Sequence, residues 1–439
     1  MFLKVLLLIL FLSVGHVNAC LGLGSLLSQF GHEIVFGLLV NYRPLVDKYP
    51  HFEVEVYCDP GDKPDDDFQT KWGNFMKTRE ELFLVDPIEQ KVAFFHHGMA
   101  EFQRFTQSVN DPIESIIKKV QPDLIVVDFY VTLPAVVTSR IPWVLLLSAN
   151  PLRIYEPLGA PPSGSGHPPV NPDPVRVAAD LKIRADSSTE LLKKYDEWLK
   201  SRGVKLDPQK KDSYSPYLNI YVYPNELDYV TEFRRIPEKW QCLEHLVRPV
   251  DGSPIGVDES FFRTHDKIVY FSLGSMGSAG ISLMKRLVSY MAKSKHKYVV
   301  SKGPFHDEIQ LPPNMVGAKY LNQLKVMSNV DLVITHGGNN TLIEALYHGK
   351  PVIVMPLFGD QHDNGRRVED KKVGRCLYPQ KTDEVEFLTA IDQLLRDVDL
   401  RERVALMGER IRASKSGEEL NEKLKNLLMD RNLANTTAA

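Results

Sequence analysis

The chain has 439 residues, too many for one compact core and suited to two domains. Its 43% hydrophobic and 25% charged residues are those of an ordinary soluble globular protein. With 53 basic against 56 acidic residues, the net charge of −3 offers no field for nucleic acid or an anionic membrane, so an anionic ligand would need a local site.

The opening run MFLKVLLLILFLSVGHVNA admits two readings. An early lysine, an apolar stretch and a small residue at Ala19 describe a signal peptide. Residues 4–13 equally describe a buried strand of a parallel sheet, which is also a continuous apolar run. The next elements favour the strand. Residues 19–30 suit a helix, Gly31 stops it, and residues 32–39 read as a second strand, a βαβ unit that needs its first element. No other segment reaches the roughly 18 apolar residues of a membrane span.

Farther along, residues 52–57 form a short strand leading into the acidic loop 58–67. Residues 85–120 are largely helical, with a break expected near Asn110-Asp111-Pro112 because an interior proline removes a hydrogen bond. Strand 123–128, helix 133–140 and strand 142–148 come next. The Pro/Gly/Ser-rich stretch 151–174 is a loop long enough to be functional. Residues 177–202 are charged and helical, and 217–223 is a strand. The first domain is therefore expected over 1–235, with a linker of weak periodicity at 236–263.

The second domain, 264–412, restarts the alternation with strand 268–273, helix 283–294, strand 297–301, strand 330–335, helix 341–348 and strand 351–355. Residues 413–439 make a C-terminal helix and polar tail. The fold class is α/β, two Rossmann-like doubly wound domains facing a central cleft, with ligands at the C-terminal ends of the strands. Cys20, Cys58, Cys242 and Cys376 lie far apart without metal-ligand spacing. They fit isolated thiols in a reducing compartment, and a disulfide pair stays open. No His/Cys/carboxylate cluster has zinc-like spacing, so no metal is expected.

The stretch 335–374, THGGNNTLIEALYHGKPVIVMPLFGDQHDNGRRVEDKKVG, carries the chemistry. A strand delivers His336, Gly337, Gly338, Asn339, Asn340 and Thr341 to the start of a helix. Glycines permit close backbone approach, and free amides with the helix dipole favour a phosphate. Glu344, one turn on, can accept from ribose hydroxyls, and Asp360-Gln361 from sugar hydroxyls. Taken alone, GGNN is also an ordinary polar strand–helix turn.

The whole run resembles the donor-binding signature of the UDP-glycosyltransferase family, whose fold is GT-B. Gln323, His336, Gly338, Asn340, Thr341, Glu344, Gly349, Pro351, Pro356, Asp360, Gln361, Asn364 and Gly374 match it. The resemblance implies that His336, Asn340 and Thr341 meet the diphosphate, Glu344 the ribose, and Asp360-Gln361 the transferred sugar. FSLGSMGS, residues 271–278, is similar to the loop that opens the family's C-terminal domain, which makes Gly274 and Ser275 phosphate neighbours. Gln323 falls near the uracil, and Tyr320 stands where the family often has a tryptophan; it can still stack.

Transfer to an alcohol needs a base, best a histidine held by a carboxylate. His16, expected at the end of strand one, and Asp128, ending DLIVVD, would share one cleft rim. On the residues alone, a turn histidine and a helix-capping aspartate are the commoner roles. The resemblance of GHVNACLGLG and PDLIVVDFY to the family's catalytic segments implies that His16 is the base and Asp128 its orienting partner. It further implies in-line attack with inversion and a leaving UDP stabilised without metal.

The acceptor would lie on the first domain, with Phe94, Phe95, Phe129, Tyr130 and the loop 151–174 as candidates for a lipophilic lining. The expected activity is transfer of a hexose, glucose by the resemblance, from a UDP-sugar to a hydroxyl of a small lipophilic acceptor, chemistry of the detoxifying kind. No cofactor beyond the UDP-sugar co-substrate, no nucleic acid, no membrane anchor and a monomer are expected. Asn339-Asn340-Thr341 is a glycosylation sequon inside the phosphate loop, so a glycan there would block the donor. That favours the cytoplasm over a secretory route. Two alternatives are a GT-B N-acetylglucosaminyltransferase and a non-catalytic binder of nucleotide sugars or lipophiles.

Overall fold

The computed structural model describes residues 2–10, 13–60, 73–74, 76–129, 131–187, 189–205 and 214–437. The N-terminal sheet is built from β1 (Lys4–Ile9), β2 (Glu33–Leu39), β3 (Glu53–Tyr57), β4 (Leu124–Asp128), β5 (Trp143–Leu147), β6 (Leu218–Val222) and β7 (Trp240–Leu243). Its spatial order is β3-β2-β1-β4-β5-β6-β7, and every pairing is parallel. The second sheet holds β8 (Ile268–Ser272), β9 (Lys297–Ser301), β10 (Met315–Ala318), β11 (Leu332–Thr335), β12 (Val352–Val354) and β13 (Gly374–Cys376). It runs β10-β9-β8-β11-β12-β13, again wholly parallel.

Uniformly apolar strands fit this arrangement, because helices cover both faces of a parallel sheet. Val5, Leu6, Leu7 and Leu8 in β1 are fully buried between β2 and β4. Within the opening run, Lys4–Ile9 is thus an interior strand of its sheet. Strand order reverses between β1 and β4 and again between β8 and β11, and such switch points open crevices where ligands bind. Five helices bear on the site: α1 (Val14–Gln29), α2 (Pro87–Val120), α3 (Asn339–Tyr347), α4 (Gln361–Asp370) and α5 (Ser416–Thr437). From the far end of the chain α5 returns to the first domain. There the His32 imidazole accepts from Leu3 N at 3.1 Å and pairs with Asn421 Oδ1 at 2.8 Å.

Several boundaries differ from expectation. Strand one stops at Ile9, and Ser13 caps α1 by accepting from Gly15 N, so His16 rides in the first turn of a helix and not at a strand end. The break expected at Pro112 is absent, and α2 runs through it. Buried Phe105, Val109, Ile113, Ile116 and Ile117 clamp this helix to the core, and their packing outweighs the roughly 3 kcal/mol a proline costs. Trp240–Leu243, inside the expected linker, is the seventh strand; four residues are too few to show a period in the sequence. The helix expected over 133–140 shrinks to Pro134–Val137, since Arg140 adopts a left-handed φ of 64°. Much of the acidic loop 58–67 lies outside the described residues.

Candidate active site

At the first switch point Ile9 pairs with Asp128, so β4 ends beside the turn that launches α1. Asp128 is fully buried and His16 is 9% exposed. His16 Nδ1 stands 2.8 Å from Asp128 Oδ2. Ser148, just past β5, donates from Oγ to the same Oδ2 at 2.7 Å and lies 2.9 Å from His16 Nδ1. Three strand ends therefore converge on one imidazole edge. The tautomer that donates to this carboxylate is the one with its proton on Nδ1, which leaves the lone pair on Nε2. His16 and Asp128 were legible in the sequence; Ser148 was not, because a lone serine after an apolar strand carries no signal.

The second switch point builds the other half. Ser272 pairs with Thr335, which sets the loop after β8 against the loop after β11. His336 is packed between two glycines: a Cβ at Gly274 would lie 2.6 Å from its ring, and one at Gly338 would lie 2.5 Å from it. Gly274 also has φ +70°, a conformation glycine tolerates. Gly274 thus seats the histidine. Burial pushes His336 down to about 4, with a backbone hydrogen bond at Ser272 working the other way. At neutral pH its ring is therefore uncharged. Ser275 follows in the short turn Gly274–Gly277.

No side chain caps α3, whose first amides are left for another acceptor. Asn340 Nδ2 donates to Gly15 O at 2.7 Å, tying the start of α3 to the start of α1. Asn339 is buried and donates to Ser148 O and Val222 O, both at 3.0 Å. Thr341 Oγ1 lies 3.4 Å from Gln323 Nε2. Glu344, 3% exposed, is held by Gln323 Nε2 and Arg248 Nη1, while Tyr270 OH donates to Gln323 Oε1 at 2.9 Å. The glutamine expected beside uracil therefore turns toward the carboxylate. Tyr320 is 48% exposed, with Lys319 Nζ 5.1 Å from its ring centre.

Asp360 and Gln361 stand where the domains meet. Asp360 Oδ2 accepts from Asn150 N at 2.9 Å, and burial pushes its carboxyl up. Gln361 Oε1 accepts from Leu357 N and Phe358 N at 2.9 and 3.2 Å, which leaves its amide nitrogen for a ligand. Asn150 is a hub that sequence reasoning missed: Nδ2 donates to Tyr223 OH and Asn364 Oδ1, and Oδ1 accepts from Leu152 N and Tyr229 OH. Of the expected acceptor residues, Phe129 is 2% exposed and packs edge-on against Phe102 at 6.1 Å, a wall element more than a free lining. Phe94 and Phe95 lie in α2, but their side chains are outside the described residues, as is Tyr130. The loop 151–174 begins with helical turns and lies against α4 through Gly164 and Gly166. All four cysteines are free. Among the described residues no helix is long and apolar enough to cross a membrane.

Relatedness to known proteins agrees with this geometry. Residues 254–413 match the family model for UDP-glucoronosyl and UDP-glucosyl transferase. The chain is 29% identical to UDP-glucuronosyltransferase 3A1 of Bos taurus over 36% of its own length and 31% of that protein. It is 22% identical to the demethyllactenocin mycarosyltransferase of Streptomyces fradiae over 91% of its length and 81% of that one. The first curated relatives are matched over 31%, 43% and 20% of their lengths, always less than half. The crystal structure of the glycosyltransferase SnogD from Streptomyces nogalater superposes with a TM-score of 0.62 at 17% identity, covering 98% of this chain and 100% of that one. The two parallel-sheet domains have the GT-B arrangement. Its signature and residues 254–413 thus match the UDP-glycosyltransferase family, and the two-domain fold around them is GT-B.

Proposed function

We propose that the protein transfers a hexose, glucose in the first instance, from a UDP-sugar to a hydroxyl of a small lipophilic acceptor, with inversion. The observation that carries this reading is the Asp128–His16 pair at 2.8 Å, set opposite the uncapped start of α3. Asp128 holds the proton on Nδ1 and stabilises the imidazolium that forms when Nε2 takes the acceptor proton. The acceptor oxygen then attacks the anomeric carbon from the first domain while the bond to UDP breaks on the far side. Negative charge growing on the diphosphate meets the α3 amides and their dipole. Asp360 and Gln361 would hold the transferred sugar. A metal is not needed in this scheme. A cytoplasmic location belongs to the same proposal, supported by the burial of Asn339, the residue a glycan would need.

Turnover of a panel of phenols and lipophilic alcohols with UDP-sugars, wild type against His16→Ala, tests the reading. The variant is expected to lose about 100- to 10,000-fold in kcat, with UDP affinity nearly unchanged. Full activity in the variant would refute His16 as base. Failure of every UDP-sugar to bind the wild type would remove the donor assignment itself.

A further inference from the structure

Arg248 reaches Glu344 from the segment that joins the two domains. A carboxylate 3% exposed is costly unless both oxygens find donors. Arg248 Nη1 supplies Oε1, Gln323 Nε2 supplies Oε2, and Tyr270 OH steadies the glutamine. The arginine side chain is only 15% exposed, and its backbone is pinned on two sides. Toward the first domain, Gly22 of α1 lets the chain pass so closely that a Cβ there would overlap Leu246 O. Tyr49 OH also donates to Pro249 O at 2.8 Å. Toward the second domain, Asn322 Nδ2 donates to Asp251 Oδ1 at 3.1 Å and Asn322 N to Ile255 O at 3.1 Å. Asn322 precedes Gln323, so the two donors to Glu344 are stitched together.

We infer that Arg248 is a positioning residue of the donor site, fixing the Glu344 carboxylate to receive both hydroxyls of the donor's ribose. The inference rests on the proposed donor reading and adds a residue to it. Each carboxylate oxygen has two acceptor directions, so one from each stays open to a vicinal diol. Two hydroxyls must be met at once, and a carboxylate already held in plane spares the ordering cost at binding. Arginine suits this because its planar fork fixes the oxygen's direction as well as its charge, which a lysine does not.

Calorimetry with UDP and its 2′-deoxy analogue, together with steady-state kinetics, tests this on Arg248→Met, Arg248→Lys and Glu344→Gln. Wild type is expected to prefer UDP. Arg248→Met should lose most of that preference and raise the donor KM about 10- to 100-fold, with kcat within roughly threefold. Arg248→Lys should recover part of both, and adding Arg248→Met to Glu344→Gln should change nothing further. Tyr49→Phe, which frees Pro249 while keeping the arginine, should narrow the preference even if Arg248→Met fails to fold. An unchanged ribose preference in folded Arg248→Met, or in Tyr49→Phe when the former does not fold, overturns the inference. So do additive losses in the double variant. No UDP binding by wild type would instead defeat the donor reading.

Discussion

At the scale of single residues, the proposed reacting end is organised around one imidazole edge. Asp128 Oδ2 takes donors from Ser148 and His16, while Asp128 Oδ1 has no hydrogen-bond partner among the described residues. Each donor to this buried carboxylate therefore matters more than it would at a surface. Asp128→Asn can hold the ring in the wrong tautomer, and kcat should fall by about a thousandfold or more. Ser148→Ala keeps the tautomer but loosens the ring, so a smaller loss of about tenfold is expected. Saturating kinetics with UDP affinity as the control would separate the two; equal losses would mean that Ser148 does more than orient. The same residues mark how far the sequence could be read. His16 and Asp128 stand in runs that resemble known catalytic segments. Ser148, Asn150 and Arg248 belong to no such run, and only the fold brings them to the site.

At the scale of elements, the strand and helix alternation was readable because interior parallel strands must be apolar throughout, as LLLI in β1 and LIVV in β4 are. The 151–174 stretch was readable only as a loop. What its glycines hold comes from tertiary contacts: Gly164 N and Gly166 N donate to Asp363 of α4 at 2.6 and 3.0 Å, and Lys91 of α2 donates to Ser163 O. Burial raises the Asp363 carboxyl and lowers the Lys91 ammonium. The segment thus bridges the two domains beside Asp360 and Gln361. Two glycines provide a controlled test. Gly159 and Gly166 both have positive φ, at 97° and 68°. A Cβ at Gly159 meets nothing within 4 Å, whereas one at Gly166 meets His362 Cβ at 3.2 Å and Tyr378 OH at 3.4 Å. Gly159→Ala should cost about 1 kcal/mol from backbone strain alone. Gly166→Ala should cost more and raise the donor KM, read from urea unfolding and kinetics; matching behaviour of the two would show that the bridge is not sensitive to this contact.

At the scale of the whole molecule, the buried histidines make stability depend on pH, and the sign can be worked out. Burial pushes His245, His336 and His362 each down to about 4, and His348 in the same direction. His362 shows why: Nε2 pairs with Gln90 Oε1 across the domain seam at 2.8 Å, and Nδ1 has no partner among the described residues. A second ring proton would have no acceptor. Below the unfolded value of about 6.5 the unfolded chain binds protons that the folded one refuses, so stability is full above that pH and drains as pH falls toward about 4. For His362 alone the loss by about pH 5 is about 2 kcal/mol, a sizeable part of a typical folding free energy. Asp363 acts in the opposite sense, because its raised carboxyl takes up a proton in the folded state before the unfolded chain does. Urea unfolding between about pH 7.5 and about pH 4.5, which spans most of the histidine range, should therefore show a net decline on acidification. His362→Gln should flatten the slope, and Asp363→Asn should steepen it by removing the compensating proton. A wild-type curve independent of pH, or a His362→Gln slope as steep as wild type, would mean that the seam between the domains opens to water in solution and solvates these rings.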